Sequence, residues 1–170
     1  GAGKTTVVRE LVKQSTTPIH VAVSVTTRAP RPGAVDGIDY HFWSEARFKR
    51  AVEENQFLET AEVHGNFYGT PLSEIDPFRK RGDVVVLVID VQGAQKTRAI
   101  YPDSTLIFLK TSSEKTFEER LRARNTETEE AIQRRLASAR KELEHEPLFD
   151  QTVINDDLQS AVDDLRLLIE

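Results

Sequence analysis

A three-layer α/β/α fold with a parallel core sheet is where this sequence leads, and three observations carry it. Strand-like and helix-like spacings of apolar residues alternate along most of the chain. Val84 to Ile89 is apolar throughout and rich in β-branched residues, the pattern of a strand covered on both faces of a parallel sheet. The connections are short, as expected where helices make the parallel crossovers. A stretch with antiparallel character, Ile38 to Tyr68, interrupts the series as an inserted lobe. With 170 residues the chain suits one domain with one core.

In order, a helix is expected from Lys4 to about Lys13, then a strand from His20 to Val25. A loop rich in Pro, Gly and Arg covers Thr26 to Gly37, and Ile38 to Phe42 reads as a short strand. Ser44 caps a helix ending near Asn55. Phe57 to Val63 alternates as a half-buried strand, and His64-Gly65-Asn66 turns the chain into Phe67-Tyr68. A polar helical stretch starts at Ser73, with Pro77 breaking or restarting it. After the Val84 to Ile89 strand come a helix (Gln92 to Tyr101), a strand (Thr105 to Leu109), a helix (Glu114 to Arg124), a long helix (Glu127 to about Glu146), a strand (Thr152 to Ile154) and a last helix from Asp157. Capping boxes are expected at Thr111 with Glu114 and at Thr126 with Glu129.

Composition narrows the function. The net charge is −5 and the pI near 5.5, which disfavours nucleic acid as a partner, so any phosphate site must be local. There is no cysteine, hence no disulfide or thiolate metal site, which suits a reducing compartment such as the cytoplasm. No apolar run approaches the roughly 20 residues of a membrane helix, so no membrane partner is expected.

Gly1-Ala2-Gly3-Lys4-Thr5 matches the second half of G-x-x-x-x-G-K-[ST], in which small residues let backbone N–H groups surround phosphate while the lysine reaches its outer oxygens. Alone, so short a pattern also suits a glycine-rich helix start with a solvated lysine. The first glycine of the motif and its strand would precede Gly1, and no Met occurs anywhere. A longer natural N-terminus is therefore expected, and a chain starting at Gly1 should be unstable and inactive. Arg28 and Arg31, three apart on a Pro-stiffened loop, can present donor forks to one phosphate, with Tyr40 and Tyr68 adding hydroxyls. Exposed loop arginines are the simpler alternative. Glu59 ends a Phe-Leu-Glu segment, where a carboxylate can accept both N1–H and N2–H of guanine, a donor pair adenine lacks. Arg120 and Arg124 share one helix face, with Arg135 beyond the next turn, a pattern that suits either a lid or surface pairing with glutamates, as expected for Arg122, Arg134 and Arg140.

Thr26-Thr27-Arg28-Ala29-Pro30-Arg31-Pro32-Gly33, Asp36 to Phe42, Phe57-Leu58-Glu59, Gly65 to Thr70, Ile89 to Gly93, Arg120 to Glu130 and Val153 to Asp157, taken with the Gly-Lys-Thr start, resemble guanylate kinases over nearly the whole chain. The resemblance implies the P-loop kinase version of the three-layer α/β/α fold, as a single domain with a core at 1–25 and 82–170, an inserted mixed-strand GMP-binding lobe at about 26–81 and a helical lid at about 120–140. It implies that Ser24, Glu59, Thr70 and Asp90 touch guanine and that Arg28, Arg31, Tyr40 and Tyr68 hold the GMP phosphate. Gly1, Ala2, Gly3, Lys4, Thr5, Thr6 and Asn155 would bind ATP, and Thr5 and Asp90 would hold Mg²⁺. Asp90 also suits a helix N-cap. Lys4, Arg31, Arg120, Arg124 and Arg135 would be catalytic. The implied reaction is ATP + GMP ⇌ ADP + GDP, with dGMP as a second acceptor, and the protein would be a monomer or weak homodimer. Ala34 and Val88 depart from the family, standing where Glu and an acidic residue are usual. Two other readings compete. Related scaffold domains that bind peptides lack an intact Gly-Lys-Thr loop and the full lid arginine set, both present here. Related kinases of phosphorylated sugars lack use for the guanine-contacting set.

Overall fold

A computed structural model describes residues 3–170. Its elements run α1 (Lys4–Gln14), β1 (Ile19–Val21), β2 (Val25–Thr26), β3 (His41–Phe42), α2 (Glu45–Glu53), β4 (Phe57–Val63), β5 (Asn66–Pro71), α3 (Asp76–Lys80), β6 (Val84–Val86), α4 (Val91–Ile100), β7 (Ile107–Lys110), α5 (Glu114–Ala123), α6 (Glu129–Leu143), β8 (Gln151–Ile154) and α7 (Leu158–Ile169). Single 3-10 turns lie at Leu72–Glu74 and Glu146–Leu148. The chain divides into two compact units, one running up to Thr17 and resuming at Asp103–Glu170, the other Pro18–Pro102.

In the first unit β7 and β8 pair in parallel, from Ile107 opposite Gln151 to Lys110 opposite Ile154. The Asn155 amide donates to the Lys110 carbonyl (2.7 Å), carrying the pairing one residue further. α1 lies against α7. Their buried residues, Val7 and Leu11 on one and Ala161, Val162 and Leu165 on the other, recur at helical spacing. α5 and α6 pack through Phe117, Leu121, Ile132 and Leu136, an i, i+4 pair on each helix.

Arg122 ties the same two helices on their solvent side. Its guanidinium donates to Glu118 (2.9 Å) and to Glu129 (2.7 Å) in the first turn of α6. Hydrogen bonds from Arg122 and then Gln133 lower the Glu129 carboxyl to about 2. Because this value lies below the unfolded one, the bridge is fully present above about pH 4.5 and is lost as pH falls toward 2. The amides of the first α6 turn are therefore expected to lose hydrogen-exchange protection between about pH 4.5 and pH 2, while a Glu129→Gln variant shows no such step. Equal pH dependence in both proteins would refute the assignment.

In the second unit β1 and β6 pair in parallel, Ile19 opposite Val84 to Val21 opposite Val86. A four-stranded sheet follows in the order β3-β2-β5-β4, with β2–β3 parallel and the other two pairings antiparallel. The β4–β5 hairpin closes through His64 and Gly65, both with positive φ (51° and 80°), the geometry a two-residue type I′ turn requires. Ser44 caps α2 by accepting from the Arg47 amide, and Phe48, 1% exposed, stacks on Phe57 (4.6 Å) and Phe67 (5.5 Å). That aromatic stack fixes α2 to the sheet.

Several expected boundaries move. The strand expected at His20 to Val25 splits into β1 and β2, which belong to different sheets, because the Val23 amide is taken by the Glu74 carboxylate (2.7 Å) instead of a ladder partner. Ile38 to Phe42 shrinks to β3, since Val35 to Tyr40 close a turn through Asp39: its carboxylate accepts from the Val35 amide (2.7 Å), and Ile38 is left 72% exposed. The Val84 to Ile89 run is strand only to Val86 and half-buried, with Val88 exposed, because the ladder ends where β1 ends. Neither capping box forms as expected. The Thr111 hydroxyl donates to the Ser113 carbonyl, and Ser113 caps α5; Thr128, not Thr126, caps α6. α6 thus begins after Glu127 and leaves that residue in the turn.

Candidate functional site

Gly3 opens α1 in the left-handed region (φ 83°), and an added Cβ would sit 2.8 Å from the Asn155 side-chain nitrogen. Only glycine fits there. It offers no capping side chain, and the first turn of α1 holds no acidic residue, so the leading N–H groups and the positive helix end remain available to an anion. Lys4 is half-buried, and Thr5 and Thr6 are exposed. Gly1 and Ala2 lie outside the described residues. Lys4 and Arg135 both line a cavity of about 490 Å³, together with Lys110, Thr111, Ser113 and Arg140.

Other expected residues gather nearby in this unit. Arg120 donates to the carbonyl of Asp156 (2.6 Å), directly after the buried Asn155. The Asp156 carboxylate accepts from the Ser112 amide (2.9 Å), and hydrogen bonding from Ser112 holds its pKa below the usual range. Arg124 stands exposed at the C-cap of α5. Arg135 pairs with Glu127 (2.6 Å), a residue that sequence reasoning did not single out.

The second unit holds the other set. Glu59 on β4 faces Thr70 on β5, and the Thr70 hydroxyl, on a residue 2% exposed, donates to the Glu59 carboxylate (2.6 Å). This bond orients the carboxylate. Tyr68, two residues before Thr70, shares its strand face and meets Tyr40 edge to face at 5.9 Å. The Arg28 guanidinium lies over the Tyr40 ring (5.2 Å), and its Nε is buried with no acceptor among the described residues. Such a donor suits an anionic ligand group. Ser24 is half-buried, its carbonyl accepting from the His41 amide (2.9 Å). Arg31 is exposed on the loop and has no side-chain partner among the described residues. Asp90 caps α4, one oxygen accepting from the Gly93 amide (2.8 Å). Glu74 was not foreseen either: it accepts from the Val23 amide and lies 3.2 Å from His20 and 3.5 Å from His41, partners far away in sequence.

A glycine-led helix start carrying Lys-Thr, and a separate sheet that with its loops carries arginines, tyrosines and a fixed carboxylate, define an α/β kinase fold of the phosphate-loop type. The family model described as Guanylate kinase matches residues 1–170. A guanylate kinase of Fusobacterium nucleatum subsp. nucleatum is 45% identical over 170 residues, covering 100% of this chain and 91% of that one. A guanylate kinase of Thermobifida fusca is 46% identical over 169 residues, covering 99% and 86%. The crystal structure of guanylate kinase from Anaplasma phagocytophilum superposes with a TM-score of 0.74 at 32% identity, covering 97% of this chain and 79% of that one. The chain belongs to the guanylate kinase family.

Proposed function

We propose that the protein transfers the γ-phosphoryl group of ATP to GMP or dGMP, giving ADP and GDP or dGDP. The observation that carries the reading is the Glu59–Thr70 pair on the sheet whose strand β2 leads into Arg28, where the buried Nε has no acceptor among the described residues. A carboxylate held with lone pairs to spare recognises the N1–H and N2–H edge of guanine, and Arg28, Arg31, Tyr40 and Tyr68 supply donors for its phosphate. Ser24 and Asp90 complete the base contacts. Residues 26–81 serve as the acceptor lobe and 120–140 as the lid.

The acceptor is a phosphate oxygen already ionised at neutral pH, so no general base is needed. Catalysis rests on positioning and on offsetting charge. The open N–H groups of Gly3, Lys4, Thr5 and Thr6 and the Lys4 ammonium hold the donor phosphates, with Asn155 beside the adenine. Arg120, Arg124 and Arg135 neutralise the transferring group and exclude water, which would otherwise accept it. The exposed Thr5 carries a hydroxyl and Asp90 keeps one oxygen out of capping, each an oxygen donor of the kind Mg²⁺ prefers beside substrate phosphates. When bound it would withdraw charge from the phosphate oxygens. A cytoplasmic location and a monomeric or weakly dimeric state belong to the same reading, the former supported by the absence of cysteine.

A coupled ADP-release assay on the full-length protein with ATP and Mg²⁺ tests this with GMP, dGMP, AMP, UMP and no acceptor. Turnover confined to GMP and dGMP is expected. Equal turnover with AMP or UMP would overturn the substrate assignment, and none with any acceptor would favour a peptide-binding domain.

A further inference from the structure

Glu127 sits in the turn between α5 and α6, directly before the capping residue Thr128. Its neighbours Thr126 and Thr128 are exposed, yet its own side chain is only 19% exposed. One oxygen, Oε1, lies 2.6 Å from a terminal nitrogen of Arg135; the other, Oε2, is buried and has no donor among the described residues. Side chains on a helix lean toward its N-terminus, so Arg135 reaches back along α6 to the turn that holds Glu127.

Stability does not account for this arrangement. Arg135 is 44% exposed and needs no partner to be solvated, and a buried carboxylate oxygen without a donor is unfavourable. The pair does fix one thing, the place of the guanidinium, and it does so beside the cavity that Lys4 also lines. Arg122, in contrast, spends its donors on Glu118 and Glu129 at the solvent face, away from that cavity's lining. The two neighbouring Arg–Glu bridges therefore differ in kind: one staples the helices and the other aims a cation.

We propose that Glu127 is a positioning residue for Arg135, holding the guanidinium in the orientation that meets the transferring phosphoryl group. The inference rests on the reading of Arg135 given above. Binding one end of the fork leaves the remaining N–H donors for phosphate, and Oε2 is the acceptor onto which a second donor of the same fork closes.

The test is a double-mutant cycle in the full-length enzyme, with kcat and both KM values measured for Glu127→Ala, Arg135→Ala and the double variant. Arg135→Ala is expected to lower kcat at least about 100-fold, the scale of one lost charge-stabilising donor. Glu127→Ala should lower kcat roughly tenfold, with KM for GMP within about twofold of wild type, the signature of an interaction made only in the transition state. In the Arg135→Ala background it should do nothing more. Glu127→Gln, similar in shape and able to accept one hydrogen bond, should fall between, and guards against a misfolded alanine variant. Wild-type kcat in Glu127→Ala, or losses that multiply in the double variant, would overturn the proposal while leaving the role of Arg135 intact. Unchanged kcat in Arg135→Ala would instead overturn the reading on which it rests.

Discussion

Lys4→Ala is expected to lower kcat by about a thousandfold while leaving KM for GMP nearly unchanged. The lysine stands at the start of α1, where the helix end is already positive and the first turn holds no acidic residue. It is half-buried and lines the same cavity as Arg135, so it meets phosphate with part of its hydration already removed, which strengthens the attraction. The GMP set belongs to other elements, β2 to β5 with their loops and the start of α4, so ground-state binding of the acceptor should survive. Lys4→Arg should recover little, because a planar fork cannot replace a compact ammonium among backbone N–H groups. Steady-state kinetics with ATP and GMP varied separately decides the matter. A variant retaining a tenth or more of wild-type kcat would remove Lys4 from the chemistry.

Glu59→Gln should lower kcat/KM for GMP by roughly 100- to 1,000-fold, with thermal stability close to that of the parent. The change is nearly isosteric, and the amide oxygen can still accept from the Thr70 hydroxyl. What changes is the second position: an NH₂ group then faces the guanine N–H donors, leaving a buried donor pair unsatisfied, the kind of mismatch that costs most in a polar site. Efficiency with AMP should stay low or rise, so the GMP/AMP ratio falls from both sides. The measurement is that ratio, and a ratio unchanged by the substitution would assign base selection to other residues.

What could be read from the chain depended on the range of the interaction. Ser44, Asp157 and the His64-Gly65 turn act within a few residues, and each stands where the sequence places it. Strand ends were overextended because pairing is decided by distant partners: Glu74 captures the Val23 amide from 51 residues away, and nothing near Val23 announces it. The two capping boxes fit the letter pattern, but Ser113 and Thr128 offered the same chemistry closer to the helix, and the pattern could not rank them. Glu59 and Thr70 were each legible as parts of a family motif. That one holds the other across the β4–β5 ladder became visible only with the register. Glu127 stood among several glutamates, and burial alone set it apart.

α2, α4, α5, α6 and α7 each begin under a Ser, Thr or Asp of their own, whereas α1, like the short α3, begins without a side-chain cap, and its N-cap position is a glycine. In the reading proposed above, donor phosphate takes the place of that cap. A phosphate arriving there completes a helix as well as a reaction complex, so the nucleotide is in part a structural component of the protein it serves. By mass action, ligand at a hundred times its Kd adds about 2.7 kcal/mol to folding stability. A cell that exhausts its ATP would thus do more than idle this enzyme: it would loosen it, and lengthen the time each molecule spends open to proteases.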